Sequence, residues 1–196
     1  MLKDGELRIL ACFFPKLEEK TLKELKRESH YSHERVFTVA ENLVKAKYLK
    51  KRKVGKTNVY QFVFTDDSFL VYTYFTTKKV NEFKKKHSLL YKRLKEFSAT
   101  AKARAVVLFG SYAKGTETRT SDIDILCVSN EKNIESLASS FKTKYGINIR
   151  PIIIKPENFK NIKRDNPPFY ADLVEFGLMI NSMEFFFEEV YGDEKA

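Results

Sequence analysis

The chain is short of the residues that mark secreted, thiol-metal, membrane-spanning or loosely tethered proteins. Only two cysteines occur in 196 residues, Cys12 and Cys127. They lie far apart in apolar runs, which excludes a disulfide scaffold and the paired spacings of zinc sites, and predicts buried, reduced thiols. No apolar run approaches the ~20 residues of a membrane span. The opening Met1-Leu2-Lys3-Asp4-Gly5-Glu6 has no signal-peptide character. A cytoplasmic protein with no membrane partner is expected. No Gly/Ser-rich linker divides the chain, so helices are expected to join its halves stiffly. Glutamine occurs once, at Gln61; with abundant Lys and Glu, that is a composition found in heat-adapted proteins.

What is abundant is positive charge, and it is unevenly placed. The net charge is +10 and 43% of residues are hydrophobic, enough for a sizeable core. Residues 1–104 hold 25 Lys/Arg against 12 Asp/Glu, a net of +13, while residues 105–196 hold 11 against 14, a net of −3. The first half is a candidate for a polyanionic partner and the second is not.

In the first half, Leu7, Leu10, Ala11 and Phe14 recur at helical spacing from Asp4, and Pro15 closes that helix. Thr21 is placed to cap a second helix, Leu22 to Ser29, and Ser32 a third, His33 to about Lys47. Val36, Ala40, Leu43 and Val44 form one stripe of the third. Residues 48–54 and 58–64 alternate like strands about a turn at Gly55-Lys56-Thr57.

Three helices followed by a hairpin resemble a winged helix-turn-helix domain over residues 1–65. The resemblance implies a recognition helix whose Ser32, His33, Arg35 and Thr38 meet base edges of double-stranded DNA. It also implies a wing whose Lys50, Lys51, Arg52, Lys53 and Lys56 meet phosphates. The other reading is a winged helix used for dimerisation or protein contact, with those lysines a solvated face. His30 and His33 lack a Cys or acidic partner at metal spacing, which leaves them a capping or DNA-contact role.

Residues 66–103 read as a helical connector. Phe69, Leu70, Thr73, Tyr74, Thr77, Val80 and Phe83 trace a stripe, the pattern breaks near His87, and Ser88 is placed to cap a second helix through Leu89, Leu90, Leu94 and Phe97. The aromatics Phe69, Tyr72, Tyr74 and Phe75 fit a core or a homodimer interface better than a base-stacking surface. A two-fold dimer would suit palindromic DNA.

The second half carries the chemistry. The buried-strand run Ala105-Val106-Val107-Leu108-Phe109 leads into Gly110-Ser111. Glycine there lets backbone approach a phosphate, and the serine falls at the first turn of a short helix, where an anion is favoured. After ten intervening residues come Asp122-Ile123-Asp124. Alternation puts both carboxylates on one face of a strand. They repel unless a cation lies between them, and Mg²⁺ takes such oxygen ligands together with substrate phosphates.

Gly110-Ser111, the spacing, Asp122 and Asp124, and the flanking strands resemble the signature of the DNA polymerase β-like nucleotidyltransferase superfamily. The likeness is strongest to its minimal members, relatives of the kanamycin-modifying enzymes. It implies a mixed α/β domain (α+β overall) over residues 104–196, a mixed sheet with flanking helices. It also implies Mg²⁺ or Mn²⁺ on the catalytic Asp122 and Asp124, and a nucleoside triphosphate on Gly110 and Ser111. Lys114, Arg119 and Ser121 are further candidates for that triphosphate; as loop residues they could equally be solvated charge or, for Ser121, a strand start. Such enzymes move a nucleoside monophosphate to an acceptor hydroxyl, and some modify a partner protein.

Beyond Asp124, residues 133–145 read as a helix ended by Gly146, residues 147–154 as a strand interrupted by Pro151, and residues 158–164 and 168–180 as helical. Met183 to Tyr191 reads as a last helix or strand, with Phe185-Phe186-Phe187 as core or interface. The superfamily places a third carboxylate on the strand matching residues 147–154, where this chain has Asn148 and Arg150. Neither can accept a proton, and Glu157 could substitute only if folded back. The alternative to an active enzyme is therefore a DNA-binding transcriptional regulator whose nucleotidyltransferase domain senses nucleotide or is catalytically degenerate.

Overall fold

Side-chain caps frame the N-terminal helices. In the computed structural model, which describes residues 1–195, helix α1 spans Asp4–Leu10, and Ala11–Phe13 continue it as a 3-10 turn. A two-residue strand β1, Lys20–Thr21, precedes helix α2, Leu22–Ser29. Thr21 Oγ1 accepts from the Glu24 amide at 3.3 Å while Glu24 Oε2 accepts from the Thr21 amide at 2.8 Å. This reciprocal pair satisfies two amides that the first turn leaves without partners. Ser32 caps helix α3, His33–Lys45, by accepting from the Arg35 amide. Strands β2, Leu49–Val54, and β3, Thr57–Phe62, form a hairpin, and β1 pairs antiparallel on the outer side of β3. Ile9, Leu10, Leu25, Val36, Ala40, Leu43 and Tyr60 are buried. Each large apolar side chain so buried contributes about 1.5–3 kcal/mol.

The chain divides into two compact units, residues 1–77 with 193–195, and residues 78–192. Helix α4, Ser68–Lys86, contributes residues to both. Its buried positions are Ser68, Val71, Tyr72, Thr76, Val80 and Phe83, whereas Leu70 and Thr77 are exposed. This corrects the expected stripe. The run Phe69-Leu-Val-Tyr-Thr-Tyr-Phe75 is apolar on nearly every side, so periodicity alone does not select the core face. Within the first unit Tyr72 packs on Phe14 with ring centres 5.7 Å apart, a core role.

Helix α5, Ser88–Ala101, begins at Ser88; the flanking cap position is His87, and no side chain bonds there. Leu94 and Phe97 are buried, whereas Leu89 is 66% exposed. Strand β4, Ala105–Leu108, is buried throughout, as a central strand covered on both faces should be. It leads into the short helix α6, Gly110–Lys114. Strand β5, Ile123–Val128, helix α7, Ile134–Tyr145, and strand β6, Ile149–Ile154, follow. β6 lies parallel to β5, and α7 makes the crossover that parallel pairing requires. Gly146 ends α7 at φ +66°. After short helix α8, Ile162–Asp165, come helix α9, Pro167–Phe176, strand β7, Leu178–Met179, and helix α10, Met183–Tyr191.

Two expectations are corrected in this region. Pro151 does not interrupt its strand: the sheet order is β6-β5-β4-β7, and an edge strand tolerates a residue without an N–H. Leu178 and Met179 are not helical but pair antiparallel with β4. Phe185, Phe186 and Phe187 are all buried. The result is a mixed α+β architecture. Among the described residues no helix is long and apolar enough to cross a membrane.

Candidate active site

Antiparallel pairing of β4 with β5 brings the glycine turn onto the acidic pair. Leu108 pairs with Ile125, and the Phe109 amide donates to the Asp124 carbonyl at 3.0 Å. The chain then turns at Gly110, whose φ of +69° is a conformation that a side chain disfavours. A Cβ at Gly110 would collide with the Asp124 carboxylate. Glycine thus serves twice here, in the turn and in the close approach. Ile123 and Ile125 of β5 are buried while Asp124 on it and Asp122 just before it keep partial exposure, so the alternation read from the sequence holds over residues 122–125.

The parallel register lines Asp124 up with Arg150, and the Ile123 amide donates to the Asn148 carbonyl at 2.9 Å. Asp122 therefore meets donors on both oxygens. Asn148 Nδ2 donates to Oδ1, and Arg150 Nη1 lies 3.0 Å from Oδ2. Burial pushes the Asp124 carboxyl above its ordinary range; Arg150 opposes that and Asp122 adds to it. Among the described residues, no three His, Cys, Asp or Glu side chains converge as a metal cage. Asp122 and Asp124 alone fit a hard cation whose shell is completed by phosphate oxygens and water. Glu157 is exposed beyond the end of β6 that pairs with Val128, a strand's length (about 20 Å) along the sheet from the Asp122 end.

The loop from Gly115 to Asp122 is anchored from below. Glu117 lies 2.6 Å from Lys86 Nζ and 3.1 Å from His87 Nε2. The histidine contact is ion-pair distance without hydrogen-bond alignment, since Nε2 has no hydrogen-bond partner. The Lys86 bond, chiefly, holds the Glu117 carboxyl below its ordinary range. Ser121 Oγ accepts from the Thr118 amide at 2.8 Å, which shapes the loop. Lys114 pairs with Asp172 at 2.6 Å, and Arg119 is exposed with no bonded partner among the described residues. A cavity of about 650 Å³ opens beside Asp122 and Asn148 and is lined also by His87, Arg93, Arg119 and Tyr145.

Residues 87–176 match the family model described as a nucleotidyltransferase domain. A protein of Methanocaldococcus jannaschii named as a protein adenylyltransferase is 34% identical over 97 residues, covering 45% of this chain and 95% of that one. The chain belongs to the nucleotidyltransferase family. Two further proteins of that organism carry the same type of name. One is 37% identical over 83 residues, 39% of this nucleotidyltransferase and 76% of the relative. The other is 35% identical over 72 residues, 32% of this chain, which spans about half (48%) of that relative's length. No solved structure matches the chain. Membership of the family supports a nucleotidyltransferase activity.

Sequence reasoning about the nucleotidyltransferase brought together Gly110, Ser111, Asp122 and Asp124, and the fold places all four where β4 ends and β5 begins, in the middle of the sheet. It missed His87, Glu117, Arg93 and Tyr145. These come from helices and loops distant in the chain, and no local spacing marks them.

The residues singled out in the first unit belong to helix α3, its cap and the β2–β3 hairpin. Ser32 is occupied as a cap, and Arg35 stacks on Tyr31 at 3.8 Å. His33 and Thr38 are exposed on α3. In the hairpin, Lys51 binds Glu41 and Arg52 binds Glu19. Lys50, Lys53 and Lys56 are exposed with no partner among the described residues.

Proposed function

We propose that this nucleotidyltransferase moves AMP from ATP to a hydroxyl of a protein acceptor, using Mg²⁺ or Mn²⁺ held by Asp122 and Asp124. The observation that carries the reading is the packing of Gly110 on Asp124 with Asp122 one strand-repeat away. The names of the relatives support adenylyl transfer to protein. In the reaction the acceptor oxygen bonds to the α-phosphorus, the bond from that phosphorus to the bridging oxygen breaks, pyrophosphate leaves, and the hydroxyl's proton passes to water. A bound cation would supply charge neutralisation at the phosphates. The chain's own part is positional. Backbone N–H groups at Gly110 and Ser111 hold the tail, and Arg119 reaches it from the loop, with Lys114 and Ser121 shaping the rim. Neither Asn148 nor Arg150 can accept the acceptor's proton. Absence of a third acid should slow turnover by roughly 10²–10⁴-fold relative to an enzyme with a positioned base.

The test is incubation with Mg²⁺, cell lysate and each nucleoside triphosphate labelled at the α-phosphate. Label should appear on protein from ATP and disappear with Asp122→Ala. No transfer from any of the four nucleotides would refute the reading.

For the first unit we propose a DNA-binding winged helix that acts as a homodimer in the cytoplasm. Three helices followed by a hairpin, with Lys50, Lys53 and Lys56 exposed on it, support that. A second reading follows from Arg150 and Asn148 on Asp122: a DNA-binding regulator whose nucleotidyltransferase domain senses nucleotide and turns over slowly or not at all. Nucleotide binding without transfer would select it.

A further inference from the structure

The Arg150 side chain stands where a cation belongs. Two carboxylates two residues apart on one strand face need positive charge near them. Here one guanidinium supplies it, 3.0 Å from Asp122 Oδ2 and in register with Asp124. Asn148 takes the other oxygen of Asp122. Neither oxygen of Asp122 is therefore without a donor at rest.

The contact is built to be broken. The Arg150 side chain is 69% exposed, and exposed ion pairs are weak and salt-screened. It sits on edge strand β6, so its arm can swing into solvent while the β5–β6 ladder stays intact. A divalent ion sharing Asp122 with Arg150 would place three positive charges about one carboxylate. Arginine cannot relieve this by losing its proton; it has to move. A triphosphate arriving with the ion is the densest negative charge within reach, and guanidinium groups bind phosphate oxygens in pairs.

We propose that Arg150 is a resident counter-cation, displaced from Asp122 by a nucleotide-bound divalent ion, and that the released guanidinium then grips the phosphate tail. The inference rests on the nucleotidyl-transfer reading and adds an order to it. Metal alone is resisted, and metal carried by nucleotide is accepted. Arg150 is on this account a positioning residue that couples the two ligands.

The experiment measures binding, with no need for turnover. Full-length wild type, Arg150→Gln and Asp122→Asn are titrated with Mn²⁺ alone, followed by electron paramagnetic resonance of the free ion. They are then titrated calorimetrically, in saturating Mn²⁺, with ATP carrying a methylene bridge between its α and β phosphates. Arg150→Gln should bind Mn²⁺ alone about five- to tenfold more tightly than wild type, a modest value within the usual range of site coupling. It should bind the nucleotide about tenfold more weakly. Both differences should shrink as salt is raised. Mn²⁺ affinity of Arg150→Gln equal to or below wild type overturns the proposal. If in that case wild type binds Mn²⁺ and Asp122→Asn does not, the metal site survives and only the role of Arg150 falls. If none of the three binds Mn²⁺, with or without nucleotide, the functional reading falls as well. Tighter Mn²⁺ with unchanged nucleotide affinity overturns the phosphate-gripping half alone.

Discussion

Replacing Gly110 by alanine separates backbone strain from damage to the site, because the chain contains its own control. Gly110 and Gly115 sit at either end of α6 with φ of +69° and +72°. Forcing alanine into that left-handed region costs about 1–2 kcal/mol at each. For a chain of this size that lowers the melting temperature by roughly 2–4 °C per kcal/mol. The surroundings differ. A Cβ at Gly115 meets nothing within 4 Å, whereas a Cβ at Gly110 meets the Asp124 carboxylate. Asp124 must then shift, and a misplacement of about 1 Å in a reacting constellation costs about 100-fold in rate. That is equivalent to about 2.7 kcal/mol of barrier. Gly110→Ala should therefore melt at or below Gly115→Ala, and Gly110→Ala alone should lose about 100-fold in transfer of label from ATP. Equal melting with equal activity would show that the turn can yield without disturbing Asp124, and the reasoning about the site would be wrong.

Three other expectations follow from features outside that turn. Burial pushes the Lys79 ammonium down to about 8, and its Nζ donates to the carbonyls of Glu175 and Gly177. The unfolded chain then holds more protons above that pH, so stability should rise by about 2 kcal/mol between pH 7 and 9.5; denaturant unfolding of Lys79→Met should lack this rise. Burial pushes the Cys127 thiol up to about 12; iodoacetamide at pH 8 should leave it unmodified in the native protein and label it in denaturant. If the hairpin binds duplex DNA, mutating Lys50, Lys53 and Lys56 together to alanine should reduce the slope of log K against log salt by about 3. The pairs of Lys51 and Arg52 with Glu41 and Glu19 should make those two positions weaker contributors.

Local signals made the elements and the acidic site legible. Thr21 and Glu24, three apart, announce the start of α2, and the unbroken apolar run from Ala105 announces a buried strand. The spacing of Gly110, Asp122 and Asp124 needs only one antiparallel pairing to become a site. What escaped depends on register or on distant segments. That Asn148 and Arg150 converge on Asp122 follows from the parallel pairing of β5 with β6, which no single segment encodes. Glu117 with His87 and Lys114 with Asp172 join residues 30 and 58 positions apart. Leu178–Met179 is too short to show alternation, and its pairing with β4 overrides a helical reading. The face of α4 was ambiguous because its first turns are apolar all round.

Pro151 has a consequence for solubility. Strand β6 ends the sheet, and Ile152 and Ile153 on it are 41% and 36% exposed. A greasy outermost strand invites another polypeptide to dock by backbone pairing and seed aggregates. With no N–H at position 151, an incoming strand would find a gap in the middle of its ladder. The imino acid therefore acts as a gatekeeper: it leaves the strand's partnership with β5 untouched and keeps crowded copies of the enzyme from stitching together.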